Sequence, residues 1–430
     1  MLIEFSVKNY RSIRDEQTLS LVMGKGDEAV ETNTFVPKAP ATVPLLRSVA
    51  IYGANAAGKS NVMKALQAMR TLVTQSASRH EPGDELDVSP FLLDNHSAFL
   101  PTEFEISFIA KDVRFQYGFA VTRKRVKEEW LLAFPNGRPQ RWFGRQWNDE
   151  KQVYDWEMGS ALSGQKQLWQ ESTRENALFL STAAQLNSQQ LQPVYNWFKT
   201  TLRMTNVAGW NPAFTAAQCQ DKASRDRVLE FLRAADLDIK DVRVESEKMS
   251  QKHLPVDMPE EIKTKLLEDF KDRDFFDVKT VHAKAGGGNI EFPLEEESDG
   301  TRKLFAFSGP WLDVLKNGYV LLVDELHDNL HPKIVQFLVQ LFHNPETNPN
   351  NAQLIFTTHD TSILDQNIFR RDQIWFCEKD DSQATTLYPL TDFSPRKGKR
   401  ENLEAYYLAG RYGALPFLRA PSRTQKVGVA

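Results

Sequence analysis

Gly53-Ala54-Asn55-Ala56-Ala57-Gly58-Lys59-Ser60 is the stretch that decides the fold of this chain. Ahead of it, Ser48 to Tyr52 is a short apolar run closed by glycine, as a buried strand requires. Behind it, Val62, Ala65, Leu66 and Met69 recur at helical spacing. Strand, glycine-bounded loop and helix form the setting of a phosphate-cradling loop. Gly53 and Gly58 let the backbone turn its N–H groups onto an anion, with Ala54, Asn55, Ala56 and Ala57 lending theirs. Lys59 brings a point charge to the outer phosphates. Ser60 offers a hydroxyl to Mg²⁺ and, with Asn61, opens a helix whose positive end faces the anion.

Three later segments fit the same chemistry. Leu321-Leu322-Val323-Asp324-Glu325 is an apolar strand ending in two carboxylates, and ligands of open α/β sheets bind at that edge. Asp324 is placed to hold Mg²⁺, directly or through water, and Glu325 to orient or deprotonate an attacking water. Phe356-Thr357-Thr358-His359-Asp360 ends a second strand in polar residues, with His359 able to contact a terminal phosphate and sense its loss. Glu297-Ser298-Asp299-Gly300-Thr301-Arg302 offers a hydroxyl and N–H donors at a helix start. Taken alone, the carboxylate pair and the Ser-x-Gly are ordinary helix caps and the histidine is structural. Their order behind a phosphate loop favours the site.

The 430 residues suffice for one large α/β domain with an insertion, or for two domains. At 41% hydrophobic residues the chain buries a real core, and a net charge of -4 neither points to nucleic acid nor excludes it. Cys219 and Cys377 lack metal-type spacing, which argues for a reducing compartment. No signal pattern or membrane-length apolar run is present, so a cytoplasmic protein is expected. Residues 1–134 read as the first half of a nucleotide-binding core, with antiparallel strands over 102–134. Residues 135–277 read as a mainly helical insertion or lid, and 278–430 as the second half and tail. Within the insertion, Val228, Phe231, Leu232 and Ala235 share one face, as do Ile262, Leu266 and Phe270. Gly286-Gly287-Gly288 reads as a hairpin turn. Arg123, Lys124, Arg125 and Lys127 are either a binding patch or, more commonly, the solvated rim of a hairpin.

The order phosphate loop, Ser-x-Gly, carboxylate pair, histidine resembles the ABC-type ATPases, in their SMC/RecF-like branch. The resemblance implies an ABC-type P-loop NTPase head of α/β class, with an antiparallel β subdomain and a helical insertion, using ATP and Mg²⁺. It makes Ser298, Gly300 and Thr301 a signature motif that contacts ATP held by a second subunit. It makes Asn329, Leu330 and His331, within Asp328-Asn329-Leu330-His331-Pro332, a D-loop along that interface, and His359 the switch histidine. Phe5-Ser6-Val7-Lys8-Asn9-Tyr10-Arg11-Ser12 is similar to the opening strand and loop of the branch, which puts Arg11 and Ser12 near the nucleotide. Ala56 stands where many members have Gly, Glu297 where Leu is usual, and Gln116 is the nearest thing to a Q-loop glutamine.

These motifs, with the tail from Gly398-Lys399-Arg400 through Tyr406-Tyr407-Leu408-Ala409-Gly410-Arg411-Tyr412-Gly413-Ala414-Leu415-Pro416, look like the small AAA-core ATPases of bacterial anti-phage defence, the AbiL and Rlo types and the PARIS-system ATPase. The resemblance covers both ends and the motifs, and little of 135–275. It implies a homodimer or an assembly of dimers, a separate effector (a TOPRIM-like or other nuclease) and a phage trigger, with nucleic acid a further partner and no membrane. Two other readings stand beside it. One is a RecF-like DNA-repair head, for which no basic stripe speaks. The other is an ATPase–nuclease of the overcoming-lysogenization-defect class, for which Glu378, Asp380 and Asp381 are acidic but no later Asp-x-Asp follows. Only the 71 residues from 360 to 430 follow His359, fewer than the hundred or so of a TOPRIM domain.

Overall fold

The structure is a computed structural model that describes residues 1–79, 81–206, 211–248, 250, 258–270, 274–394 and 401–416. In chain order, β1 (Leu2–Lys8) and β2 (Gln17–Ser20) form a hairpin, and β3 (Ser48–Tyr52) leads through the phosphate loop into α1 (Lys59–Arg79). A meander follows: β4 (Thr102–Ala110), β5 (Val113–Val121), β6 (Val126–Phe134), β7 (Gln140–Asn148) and β8 (Val153–Met158). Next come α2 (Phe179–Gln185), β9 (Leu202–Asn206), α3 (Lys222–Ala234), β10 (Asp241–Lys248), β11 (Asp274–Ala283) and β12 (Asn289–Pro293). The last part runs α4 (Asp299–Asn317), β13 (Val320–Asp324), α5 (Pro332–His343), β14 (Gln353–Thr357), β15 (Ile374–Lys379) and β16 (Thr385–Pro389).

The inner sheet has the order β9-β13-β14-β3-β15-β16, parallel except for the β15–β16 hairpin. Its central strands β13, β14 and β3 are mostly apolar because both faces are covered. Successive side chains point to opposite sides. Val49, Ile51, Val320, Leu322 and Ile355 enter one core, shared with α1 and the outer sheet, while Ala50, Tyr52, Leu321, Val323, Leu354 and Phe356 enter a second, under α4 and α5. The outer sheet is antiparallel, in the order β8-β7-β6-β5-β4-β1-β2. Buried Glu129 on β6 fixes it to α2 by accepting from the Phe179 and Leu180 N–H groups, from Tyr117 Oη and from the equally buried Arg145. Four donors on one carboxylate offset the cost of burying its charge.

The α/β class and the antiparallel subdomain appear as the sequence reads. The expected helical insertion over 135–277 is instead mixed. Residues 140–158 are strands that widen the outer sheet, their alternating Trp and Tyr masked in sequence by Arg, Gln, Asp and Glu on the exposed face. β9 pairs in parallel with β13, so the segment read as an insertion supplies an edge strand of the nucleotide-binding sheet. Its Leu-Arg-Met-Thr-Asn pattern is too short and polar to announce a strand. On α3, Val228, Phe231 and Leu232 are buried, as is Ala235 just beyond it. Glu260–Phe270 is helical, but Ile262 is exposed, and the Phe270 side chain lies outside the described residues. Gly286-Gly287-Gly288 turns between β11 and β12, which pair antiparallel, with Gly287 and Gly288 at positive φ. The basic run after β5 is a paired rim: Arg123 bonds Glu85, Arg125 bonds Glu175 and Lys127 bonds Asp149. Of the tail motif, Gly398-Lys399-Arg400 lies outside the described residues. Tyr407 and Tyr412 pack on Phe376 of β15. No described helix is long and apolar enough to cross a membrane.

Candidate functional site

Because β13, β14 and β3 are adjacent and parallel, their carboxyl ends bring Asp324, Thr357 and Gly53 to one edge of the sheet. The loop from Gly53 to Ser60 lies over the β15–β16 hairpin. Gly53 has φ +153°, and a Cβ there would sit 2.2 Å from the Cys377 carbonyl oxygen. Gly58 has φ +108°, and a Cβ there would sit 2.0 Å from Thr385 Oγ1. Only glycine fits either place. Lys59 is buried, and its Nζ donates to the carbonyls of Gly53 (2.8 Å) and Ala54 (3.0 Å). Burial holds its ammonium below the usual lysine range, opposed by the charges of Glu325 and Asp324. Asn55 and Ala56 are exposed at the loop's crest, and Ser60 is half-buried in the first turn of α1.

Ala56 has φ +63°, a left-handed conformation that costs alanine about 1 kcal/mol. That is the physical content of its departure from glycine. Ala56→Gly removes the strain and adds unfolded-state entropy of similar size. Thermal unfolding is therefore expected to move by less than about 1 kcal/mol with ATP affinity kept, whereas Ala56→Val, β-branched at positive φ, costs more than Ala56→Gly in the same melt.

One hydroxyl organises the carboxylates. Thr357 Oγ1 accepts from the Glu325 N–H (2.8 Å) and donates to Asp324 Oδ1 (2.6 Å). Glu325 is held at φ +55° with its side chain exposed beyond the strand end, the kind of backbone strain that marks functional positions. Beside it, the rings of His327 and His359 lie 3.7 Å apart, centroid to centroid, at 65°. Thr358 Oγ1 accepts from the Asp360 N–H and shares a hydrogen bond with His327 Nδ1 at 3.0 Å. Desolvation and the neighbouring His359 lower the His327 pKa to about 4, so this imidazole is neutral near pH 7.

Residues 48–365 match the family described as "AAA domain, putative AbiEii toxin, Type IV TA system". The chain belongs to this AAA family. No curated protein matches it. Among solved structures, the AAA chain is similar to the SMC head domain from Thermotoga maritima, at 10% identity over 90% of this chain and 98% of that one, with a TM-score of 0.40. The Pyrococcus furiosus Smc head domain, with an extended coiled coil and bound to the C-terminal domain of ScpA, gives 11% identity over 90% and 96%, with a TM-score of 0.40.

The residues of this AAA domain fit a Mg²⁺–nucleotide. Two glycines leave no room for Cβ, an ammonium is held over the loop, and the Ser60 hydroxyl and Asp324 carboxylate are hard oxygen donors suited to Mg²⁺. The family and this donor set support ATP binding and hydrolysis as its chemistry.

The other sequence-chosen residues fall into two groups. Ser12 reaches the loop: its Oγ accepts from Asn61 Nδ2 (2.6 Å). Arg11, at φ +52°, turns aside. Its Nε donates to Tyr10 Oη, and its guanidinium lies over the Tyr10 ring, lining a groove along Lys64 and Gln67 of α1. Gln116 bonds Glu105 within the outer sheet, not the site. Ser298 caps α4, its Oγ accepting from the Thr301 N–H and sharing a hydrogen bond with Thr301 Oγ1. Gly300 lies in the first turn of α4, and Glu297, in place of leucine, bonds Thr280 and His282 on β11. Among the described residues, no hydrogen bond joins Ser298, Gly300 or Thr301 to residues 53–60 of the same chain. Asn329, at φ +51°, and Leu330 form the turn after β13, His331 caps α5 through Nδ1, and Lys303 of α4 bonds the Asp328 carbonyl. Helix α4 and the turn after β13 are thus tied to each other.

Sequence reading missed Thr357 as the buckle of the carboxylates, His327 as the neighbour of His359, and Cys377 and Thr385 beneath the loop. The run Thr357-Thr358 was the one available signal. Thr385 carried none.

Proposed function

We propose that this AAA domain binds ATP with Mg²⁺, hydrolyses it, and dimerises around it as the sensor or regulator of an anti-phage defence system in the cytoplasm, acting through a separate effector of nuclease type. The observation that carries the ATPase part is the Thr357 clasp: Thr357 ends β14, the strand beside the one that leads into the phosphate loop, and fixes Asp324 and Glu325 at the end of β13 on its other side. Bound Mg²⁺ supplies charge neutralisation at the outer phosphates, held by Ser60 and Asp324. Lys59 exchanges its two loop carbonyls for phosphate oxygens, trading neutral acceptors for charged ones. Glu325, projected beyond the strand by its left-handed backbone, orients the attacking water. His359, backed by neutral His327, contacts the terminal phosphate and registers its departure.

Dimerisation is supported by the signature. Ser298, Gly300 and Thr301 begin nineteen-residue α4, among the described residues no hydrogen bond ties them to the phosphate loop of their own chain, and such a helix end suits an anion from elsewhere. The anti-phage role and the nuclease partner rest on the sequence resemblance and on the family's description. A self-contained nuclease is disfavoured by its own candidates. Glu378 accepts from the Ala414 N–H, and Asp380 from the N–H groups of Ser382 and Ala384 and from Arg14, so both serve turns. Native mass measurement of the purified chain, alone and with ATP·Mg²⁺, tests the assembly. The expected result is a shift to a dimer, or to multiples of one, with ATP. A monomer under both conditions rejects the shared site, and binding to duplex DNA ends that weakens steeply with salt would favour the DNA-repair reading.

A further inference from the structure

Thr385 lies far along the chain from the phosphate loop, yet it is buried directly beneath it, in the slot that only Gly58 leaves open. Its Oγ1 is 3.0 Å from the Ala57 carbonyl and 2.7 Å from Ser12 Oγ, and Ser12 Oγ is 2.6 Å from Asn61 Nδ2. The proton count leaves one arrangement. A carbonyl only accepts, so the single Thr385 hydroxyl proton goes to Ala57. Ser12 must then donate to Thr385, and Asn61 must present its NH₂ to Ser12. The result is a one-way chain, Asn61 to Ser12 to Thr385 to Ala57, closed by the Thr385 N–H on the Ser12 carbonyl at 2.7 Å.

We propose that Thr385 is a positioning residue of the nucleotide site: by holding the Ala57 carbonyl outward it aims the Gly58 N–H into the loop. The inference rests on the ATP-binding reading above. The peptide unit is planar and trans, so its C=O and N–H point in opposite directions. A carbonyl pinned under the loop therefore keeps its N–H facing the hollow where phosphate oxygens would lie, and does so before any ligand arrives. The Cys377 Sγ is the other donor near that carbonyl, at 3.4 Å, and a thiol is a weak one. The same chain carries the β1–β2 turn into the site through Ser12. The Leu387 N–H to Gln17 Oε1 bond (2.7 Å) and the Arg14–Asp380 pair fasten that turn to β16 and its hairpin.

The test compares Thr385→Val, which keeps the shape and removes the donor, with Thr385→Ser, which keeps the donor. ATP·Mg²⁺ binding by calorimetry, steady-state hydrolysis and thermal melting are read on each. Loss of one preorganised hydrogen bond is expected to weaken Kd and KM for ATP about fivefold in the valine variant while kcat stays within about twofold. The serine variant is expected to return to within about twofold of the parent chain. If the valine variant does not fold, Thr385→Ala carries the same expectation without the extra methyl. Unchanged ATP affinity in the donor-less variant overturns the proposal, as does failure of serine to rescue, or equal losses in kcat and affinity. If the parent chain itself binds no ATP, the ATPase reading falls and this inference with it. If the parent chain binds ATP and Lys59→Ala does not, an unaffected Thr385→Val removes this inference alone.

Discussion

Lys59→Ala is expected to lose ATP binding by more than about a hundredfold and hydrolysis with it, while the protein keeps its fold. The ammonium is buried and held by the Gly53 and Ala54 carbonyls, so it costs desolvation in the free protein, and burial already holds it below the usual lysine range. Removing it takes away two hydrogen bonds and the cost of burying a charge together, so the melting temperature should stay within a few degrees. What disappears is the only lysine or arginine in the loop itself, facing the place where phosphate charge would sit. Calorimetric titration with ATP·Mg²⁺ and a melt of the same sample read both halves of the expectation. Turnover at the parent rate would refute the loop assignment. In cells carrying the native system, the same variant should fail to protect against phage, and full protection would separate the defence role from ATP use.

Glu325→Gln should have the second large effect and a different signature. Hydrolysis is expected to fall about a hundred- to a thousandfold, with ATP affinity held within about threefold. The amide keeps the shape and the left-handed backbone that Thr357 braces, and it loses only the proton-accepting carboxylate. Mixed with ATP·Mg²⁺, the variant should accumulate as an ATP-bound dimer by native mass, where the parent chain cycles. If it turns over normally, Asp324 or another group positions the water and the assignment of Glu325 is wrong.

The loop was legible because its backbone dictates its residue types. Glycine stands where Cβ has no room, and a lysine and a hydroxyl stand at a helix start, within eight consecutive residues. Asp324-Glu325 and His359 were legible because apolar strands delivered them to one edge in a fixed order. What escaped is what only tertiary contact creates. Thr357 buckles the carboxylates from 33 residues away, and Thr385 braces Ala57 from 328 residues away. Neither residue type nor local spacing carries that information. β9 escaped for another reason: of its five residues only Leu202 and Met204 are apolar, too few to mark a strand. Arg11 shows the converse. The resemblance of residues 5–12 implies a place near the nucleotide, and in the folded chain its left-handed backbone and the Tyr10 ring lay it along α1.

The position of β3 in the inner sheet has a consequence for biosynthesis. Its two neighbours are β14 and β15, each about three hundred residues later in the chain. On the ribosome, at roughly 5–20 residues per second, the strand that leads into the phosphate loop therefore waits about 15 to 60 seconds for its first in-sheet partner. The floor under Gly53 and Gly58 arrives later still, with Cys377 and Thr385. Val49 and Ile51 can pack early against α1 and the outer sheet, but the Ala50 and Tyr52 face of the strand waits for partners made in the second half of the chain. A nascent-chain chaperone has that interval in which to cover the waiting face.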